Sequence, residues 1–198
     1  MRGKLFVISG PSGVGKNTLL NAVVARSEHV RYSISATSRS MRPGEVDGKS
    51  YYFVTREQFE GLIAGDALLE YAEYVGNYYG TPIQPIREAV EAGTDIVMDV
   101  DVVGALKIKK RLPAAVLVFV TAPSFAALRA RLERRGDVAP EVMKERLERA
   151  KWEYAQAHQY DYIILNDEVE HAVGELMAIM TAEKCKTMER IHLIKEEL

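Results

Sequence analysis

A chain of 198 residues with a formal net charge of −2 lacks the strongly basic surplus of a general nucleic-acid or anionic-membrane binder. One cysteine, Cys185, excludes an internal disulfide, and neither its surroundings nor His29, His158, His171 and His192 have the spacing of a zinc site. The apolar start is too short for a signal peptide, and no stretch reaches the ~20 apolar residues of a membrane span, so a cytoplasmic chain is expected.

Leu5 to Ile8 is an apolar, β-branched run that reads as a short buried strand. Gly10, Pro11, Ser12, Gly13, Val14 and Gly15 then form a loop, Lys16 follows, and a helix is expected from Lys16 to Ser27 with Leu19, Leu20, Val23 and Val24 buried. Strand, glycine loop, Lys and helix in that order make a phosphate-binding loop. The glycines let backbone N–H groups converge on an anion, the helix N-terminus adds positive potential, and Lys16 supplies a full charge for the β- and γ-phosphates of a nucleoside triphosphate. The next position of this motif is normally a Ser or Thr that ligates Mg²⁺; here it is Asn17. Its amide oxygen can hold Mg²⁺ directly, hold it through water, or weaken the site. Thr18 is one residue too late and points about 100° further round the helix.

Val30 to Ser35 alternates like a strand, and Ala36 to Ser50 is a polar, glycine-bearing segment holding Arg39, Arg42 and Lys49. Tyr51 to Val54 is a strand, and Thr55 with Gln58 is a capping box opening a helix through Ile63. Leu68 to Val75 and Tyr78-Tyr79 read as strands joined by a turn, so residues from about 35 to 80 form a small β-rich insertion. A helix is expected from Ile83 to Ala92, a central strand from Asp95 to Asp101, a helix from Ala105 to Leu112 and a strand from Ala115 to Val120. Ser124 caps a basic helix, Asp137 to Pro140 breaks it, and Glu141 to Gln159 is a second long helix. Tyr162 to Leu165 is the last core strand, and Glu170 to Glu196 reads as one helix, serving core packing or a contact between copies of the chain. Five short buried strands separated by helices give a parallel, three-layer α/β core.

ISGPSGVGK at 8–16, SATSRSMRPGEVDGKSYYFV at 35–54, LLEYAEYVGNYYGTP at 68–82, DIVMDVDVVGALKIKK at 95–110, and RLERRG and ERLERA around 131–150 together resemble the guanylate kinase family over nearly the whole chain. That resemblance implies ATP-dependent, Mg²⁺-assisted phosphorylation of GMP and dGMP by a P-loop core with a five-stranded parallel sheet (1–34, 83–123, 157–198), a GMP-binding insertion (35–82) and a helical lid (124–156). The alternative is a non-catalytic module of the same fold whose metal site Asn17 has weakened. By the same resemblance, Arg39, Arg42, Tyr51 and Tyr79 hold the GMP phosphate, while Glu70, Ser35 and Thr81 read guanine. Asp99 and Asp101, taken as two residues apart on one strand, serve GMP and the metal's surroundings; Asp99 can hold Mg²⁺ through water, and the division between them stays open. Arg135 and Arg146 meet the ATP phosphates, and Asn166 sits where the family meets adenine. Of the remaining basic residues, Arg131 belongs with the lid cluster, whereas Arg129, Arg134 and Arg149 read as helix-surface arginines paired with Glu133, Glu141, Glu145 and Glu148. The family's usual residues are replaced by Val103 after Asp101 and by Asp137-Val138 in the lid.

Overall fold

The computed structural model describes residues 2–134 and 140–195. In chain order the elements are β1 (Leu5–Ser9), α1 (Lys16–Arg26), β2 (Val30–Tyr32), β3 (Ala36–Thr37), β4 (Tyr52–Phe53), α2 (Arg56–Ala64), β5 (Leu68–Tyr74), β6 (Asn77–Pro82) and α3 (Ile83–Glu91). They continue with β7 (Asp95–Asp99), α4 (Val102–Arg111), β8 (Val116–Thr121), α5 (Phe125–Glu133), α6 (Pro140–Ala155), β9 (Tyr162–Leu165), α7 (Val169–Lys184) and α8 (Thr187–Lys195). No helix among the described residues is long and apolar enough to cross a membrane.

The main sheet has the order β2-β7-β1-β8-β9, with every pairing parallel. A strand covered on both faces must be apolar on both, which is why β1 reads as a continuous run. Phe6 and Ile8 pack on one face with Leu19, Leu20 and Val23 of α1 and Val173 and Leu176 of α7. Leu5 and Val7 pack on the other with Ile86 of α3 and Ala105 and Ile108 of α4. Three layers result, and the carboxyl ends of β1 and β7 open on the same edge, where ligands of open α/β sheets bind.

A second, mixed sheet has the order β4-β3-β6-β5. Its small core is Ala36, Phe59 and Leu68, with the Phe59 ring stacked 5.2 Å from that of Tyr78. The capping box of α2 forms as expected: Gln58 N–H donates to Thr55 Oγ1 at 3.2 Å and Thr55 N–H to Gln58 Oε1 at 2.8 Å.

The second strand and the C-terminal helix differ from their sequence patterns. The strand expected over Val30–Ser35 is β2 alone; after Ser33 N–H donates to Val97 O the chain leaves the main sheet, and Ala36–Thr37 pairs in the second one. The single C-terminal helix is two, α7 and α8, parted at Cys185 and Lys186. Around the break, carboxylates and cations pair. Lys184 pairs with buried Asp95, Lys186 with buried Glu183, and Glu189 of α8 with Lys4 at 2.6 Å. Apolar periodicity carries no record of the distant pairs to Asp95 and Lys4.

The β5–β6 hairpin turns through Val75 and Gly76, both with positive φ (48° and 72°). Two positive-φ residues suit Asn-Gly, whereas a β-branched side chain there is strained. Val75 is 78% exposed, so its side chain gains little packing in return. Val75→Asn is expected to raise stability by about 1 kcal/mol, read as a higher urea midpoint at unchanged slope; a lower midpoint would count against strain at this turn.

Candidate nucleotide site

The loop from Gly10 to Gly15 leaves the carboxyl end of β1 and presses against its neighbours. A Cβ on Gly10 (φ 138°) would lie 2.2 Å from Val120 O, so only glycine fits between the loop and β8. Gly15 caps α1 in the left-handed region at φ 94°. The first turn of α1 carries no acid, so its amide dipoles face the loop uncompensated. Lys16 folds back over the loop, its Nζ donating to Gly10 O at 2.7 Å and to Pro11 O at 3.3 Å, and standing 3.8 Å from Asp99 Oδ1 on the adjacent strand β7. Ser12, Asn17 and Thr18 are exposed beside it.

The loop is braced from behind. Buried Val14 offers its carbonyl to Asn166 Nδ2 at 2.7 Å and to Arg131 Nη1 at 3.2 Å, and Arg131 Nη2 donates to Asn166 O at 2.8 Å. Arg131, which the sequence groups with the lid cations, therefore spends its guanidinium on backbone carbonyls and ties α5 to the loop. Asn166 is buried with its Nδ2 fixed, leaving Oδ1 an acceptor with no donor among the described residues.

Asp99 and Asp101 do not share a strand face. β7 ends at Asp99, and Asp101 is the N-cap of α4, its Oδ1 accepting from Gly104 N–H at 2.7 Å. The cap wins because Asp101 precedes an apolar-periodic segment whose first amides need an acceptor. Burial pushes the Asp99 carboxyl above the usual range, and the Lys16 ammonium pulls it back. Asp101 Oδ2 instead pairs with Arg149 of α6 at 3.1 Å, and Arg149 also pairs with Glu153 at 3.2 Å. Val103 is exposed in the first turn of α4.

The second sheet gathers the remaining candidates. Tyr51 and Tyr79 stand edge to face at 6.1 Å and 70°, with Arg39 over the Tyr51 ring at 5.6 Å. Glu70 on β5 and Thr81 on β6 are cross-strand neighbours, and Thr81 Oγ1 donates to Glu70 Oε1 at 2.7 Å. Burial raises the Glu70 carboxyl, against the Thr81 hydrogen bond. Ser35 is half-buried just before β3, and the Arg42 side chain is exposed. A residue that sequence reasoning missed, Glu45, takes both prongs of Arg39 at 2.8 and 3.0 Å and the Arg42 N–H at 2.7 Å. Arg39 first, then that amide, hold the Glu45 carboxyl down at about 2. The available signal was an acid in a loop otherwise noted only for its cations.

Arg146 is half-buried on α6 with no carboxylate within ion-pair distance among the described residues. Arg135, Asp137 and Val138 lie outside the described residues. Arg129 pairs along its own helix with Glu133 at 3.1 Å, as its spacing predicts.

A glycine loop and lysine between β1 and α1 of a parallel sheet, with an acid at the end of the next strand, define a P-loop phosphate-binding protein. The guanylate kinase family model matches residues 2–183. A guanylate kinase from Halalkalibacterium halodurans is 48% identical over 98% of this chain and 97% of its own, and one from Thermus thermophilus is 50% identical over 93% and 83%. The crystal structure of guanylate kinase from Anaplasma phagocytophilum superimposes with a TM-score of 0.71 at 33% identity, over 94% of this chain and 88% of that one. The chain belongs to the guanylate kinase family.

Proposed function

We propose that the protein transfers the γ-phosphoryl group of ATP to GMP and dGMP in the cytoplasm. The observation that carries this reading is the presence, in one chain, of a Lys16-bearing glycine loop and of an Arg39–Tyr51–Tyr79 cluster beside the Glu70–Thr81 pair. The backbone of Gly10, Pro11, Ser12, Gly13, Val14 and Gly15, with Lys16 and the α1 N-terminus carrying Asn17 and Thr18, binds the donor phosphates. Asn166 sits beside the adenine. Arg39, Arg42, Tyr51 and Tyr79 hold the acceptor phosphate; Glu70 takes the two guanine donors, and Ser35 and Thr81 offer hydroxyls to O6, Thr81 by turning its O–H from Glu70 Oε1 to the base. Asp99 and Asp101 border the acceptor, and Arg146 with Arg135 closes over the transferring group. The acceptor oxygen is already anionic, so the side chains have to align it and neutralise charge, and no general base is needed.

Asp99 and Asn17 offer the hard oxygens that Mg²⁺ prefers, and a site with one or two protein oxygens completed by phosphates suits that ion. Asn17 would hold it directly or through water and Asp99 through water, and when bound it would neutralise charge on the donor phosphates. Asn17→Ser restores the shorter hydroxyl and is expected to lower the Mg²⁺ concentration for half-maximal rate by roughly 10-fold, the scale of ligand-shell changes. A large loss of turnover instead would mean that Asn17 is a working part of the metal site.

The test of the whole reading is ATP consumption with GMP, dGMP, AMP, UMP and CMP as acceptors across a Mg²⁺ titration. Turnover confined to GMP and dGMP is expected. GMP binding without turnover at any Mg²⁺ would replace the kinase with a binding module.

A further inference from the structure

We propose that Glu45 is a positioning residue for the acceptor phosphate: it fixes the Arg39 guanidinium so that only its Nε/Nη2 edge is offered to substrate. The inference rests on the reading above that Arg39 meets that phosphate.

A guanidinium has five N–H donors in a plane. Glu45 Oε1 takes one from Nη2 and Oε2 takes one from Nη1, the end-on fork, and Ser40 O takes the second Nη1 hydrogen at 2.6 Å. What remains is the Nε–H and the outer Nη2–H. These lie parallel on one edge, the spacing that matches two oxygens of a phosphate. The arrangement is built in before substrate arrives. Arg39 and Glu45 are only 12% and 22% exposed, and the guanidinium lies 5.6 Å from the centres of both the Tyr51 and Phe53 rings. Glu45 is itself anchored through the Arg42 N–H, so one carboxylate orders the loop that carries both arginines. A surface ion pair would not need this degree of fixation. One that sets the direction of a free bidentate edge does.

A carboxylate on Arg39 could act in the opposite sense, as a competitor that phosphate must displace, and binding measurements separate the two. GMP and guanosine affinities are measured by calorimetry for the wild type, Glu45→Gln, Arg39→Met and the double variant, with KM for ATP alongside. Glu45→Gln is expected to weaken GMP by about 10-fold or more, with guanosine and the ATP KM unchanged, and to add nothing in the Arg39→Met background. GMP affinity unchanged or improved in Glu45→Gln, or full additivity in the double variant, overturns the positioning role. GMP affinity unchanged in Arg39→Met strikes the phosphate-site reading itself. Should Glu45→Gln fail to fold, Glu45→Asp keeps the charge on a shorter arm and is expected to lose part of the preference for GMP over guanosine; a preference fully retained overturns the proposal equally.

Discussion

Lys16→Met is expected to lower kcat for GMP phosphorylation by about 10²–10³-fold, the scale of removing one preorganised donor from a developing charge. Lys16 waits in place. Its ammonium is held by Gly10 O and Pro11 O, so little side-chain ordering is left for the moment of reaction. The fold should survive, because the two released carbonyls lie at the open edge of the sheet. The substitution has a second, measurable consequence at Asp99, whose raised carboxyl loses its nearest cation and rises further. Between the unfolded and the raised folded value, the native state holds a proton that the unfolded chain has released, so stability falls as pH rises through that window. The variant should widen the window, steepening the loss of stability on the alkaline side of the ordinary Asp range. A kcat within threefold of wild type would remove Lys16 from the chemistry, whatever the stability data show.

What the sequence made legible was local. The loop from Gly10 to Lys16 and the Thr55–Gln58 capping box each depend on residues a few positions apart, and both form as their patterns predict. Asp101 shows where two local rules compete. The alternation of Asp99 and Asp101 suggested one strand face, but an Asp three residues before Gly104 at the head of an apolar helix is also an N-cap, and the unpaired helix amide decides it. The loop brace was out of reach, since Arg131 and Asn166 meet Val14 across 117 and 152 residues. The seating of α8 was likewise out of reach, since its Glu189 meets Lys4 from the other end of the chain. Glu45 was missed for a related reason: composition reports charges, not which of them face each other.

Glu70→Gln is expected to cost about 10²–10⁴-fold in kcat/KM for GMP, because two charge-assisted hydrogen bonds at about 1.5–3 kcal/mol each are at stake. A carboxylate can accept from the guanine N1–H and N2–H₂ together; an amide must turn its own NH₂ toward one of them. Inosine monophosphate lacks the N2 amine, so its kcat/KM should fall less and the preference for GMP over it should narrow. The pH dependence gives an independent check. Burial raises the Glu70 carboxyl first of all, nearby Asp101 pushes the same way, and the Thr81 hydroxyl and Lys107 oppose them. Only the ionised form accepts both donors, so kcat/KM for GMP should fall on the acid side at a pH above the ordinary glutamate range, and that limb should vanish in the variant. Stability should move the other way. A partly buried carboxylate whose folded value is raised destabilises the native state once pH passes that value, and glutamine carries no charge to desolvate, so the variant should melt higher than wild type at neutral pH. Loss of guanine discrimination together with a higher melting temperature is the signature of a charge kept for recognition at a cost to the fold. Unchanged GMP kinetics would assign Glu70 to the structure of the β5–β6 hairpin and leave guanine recognition to other groups.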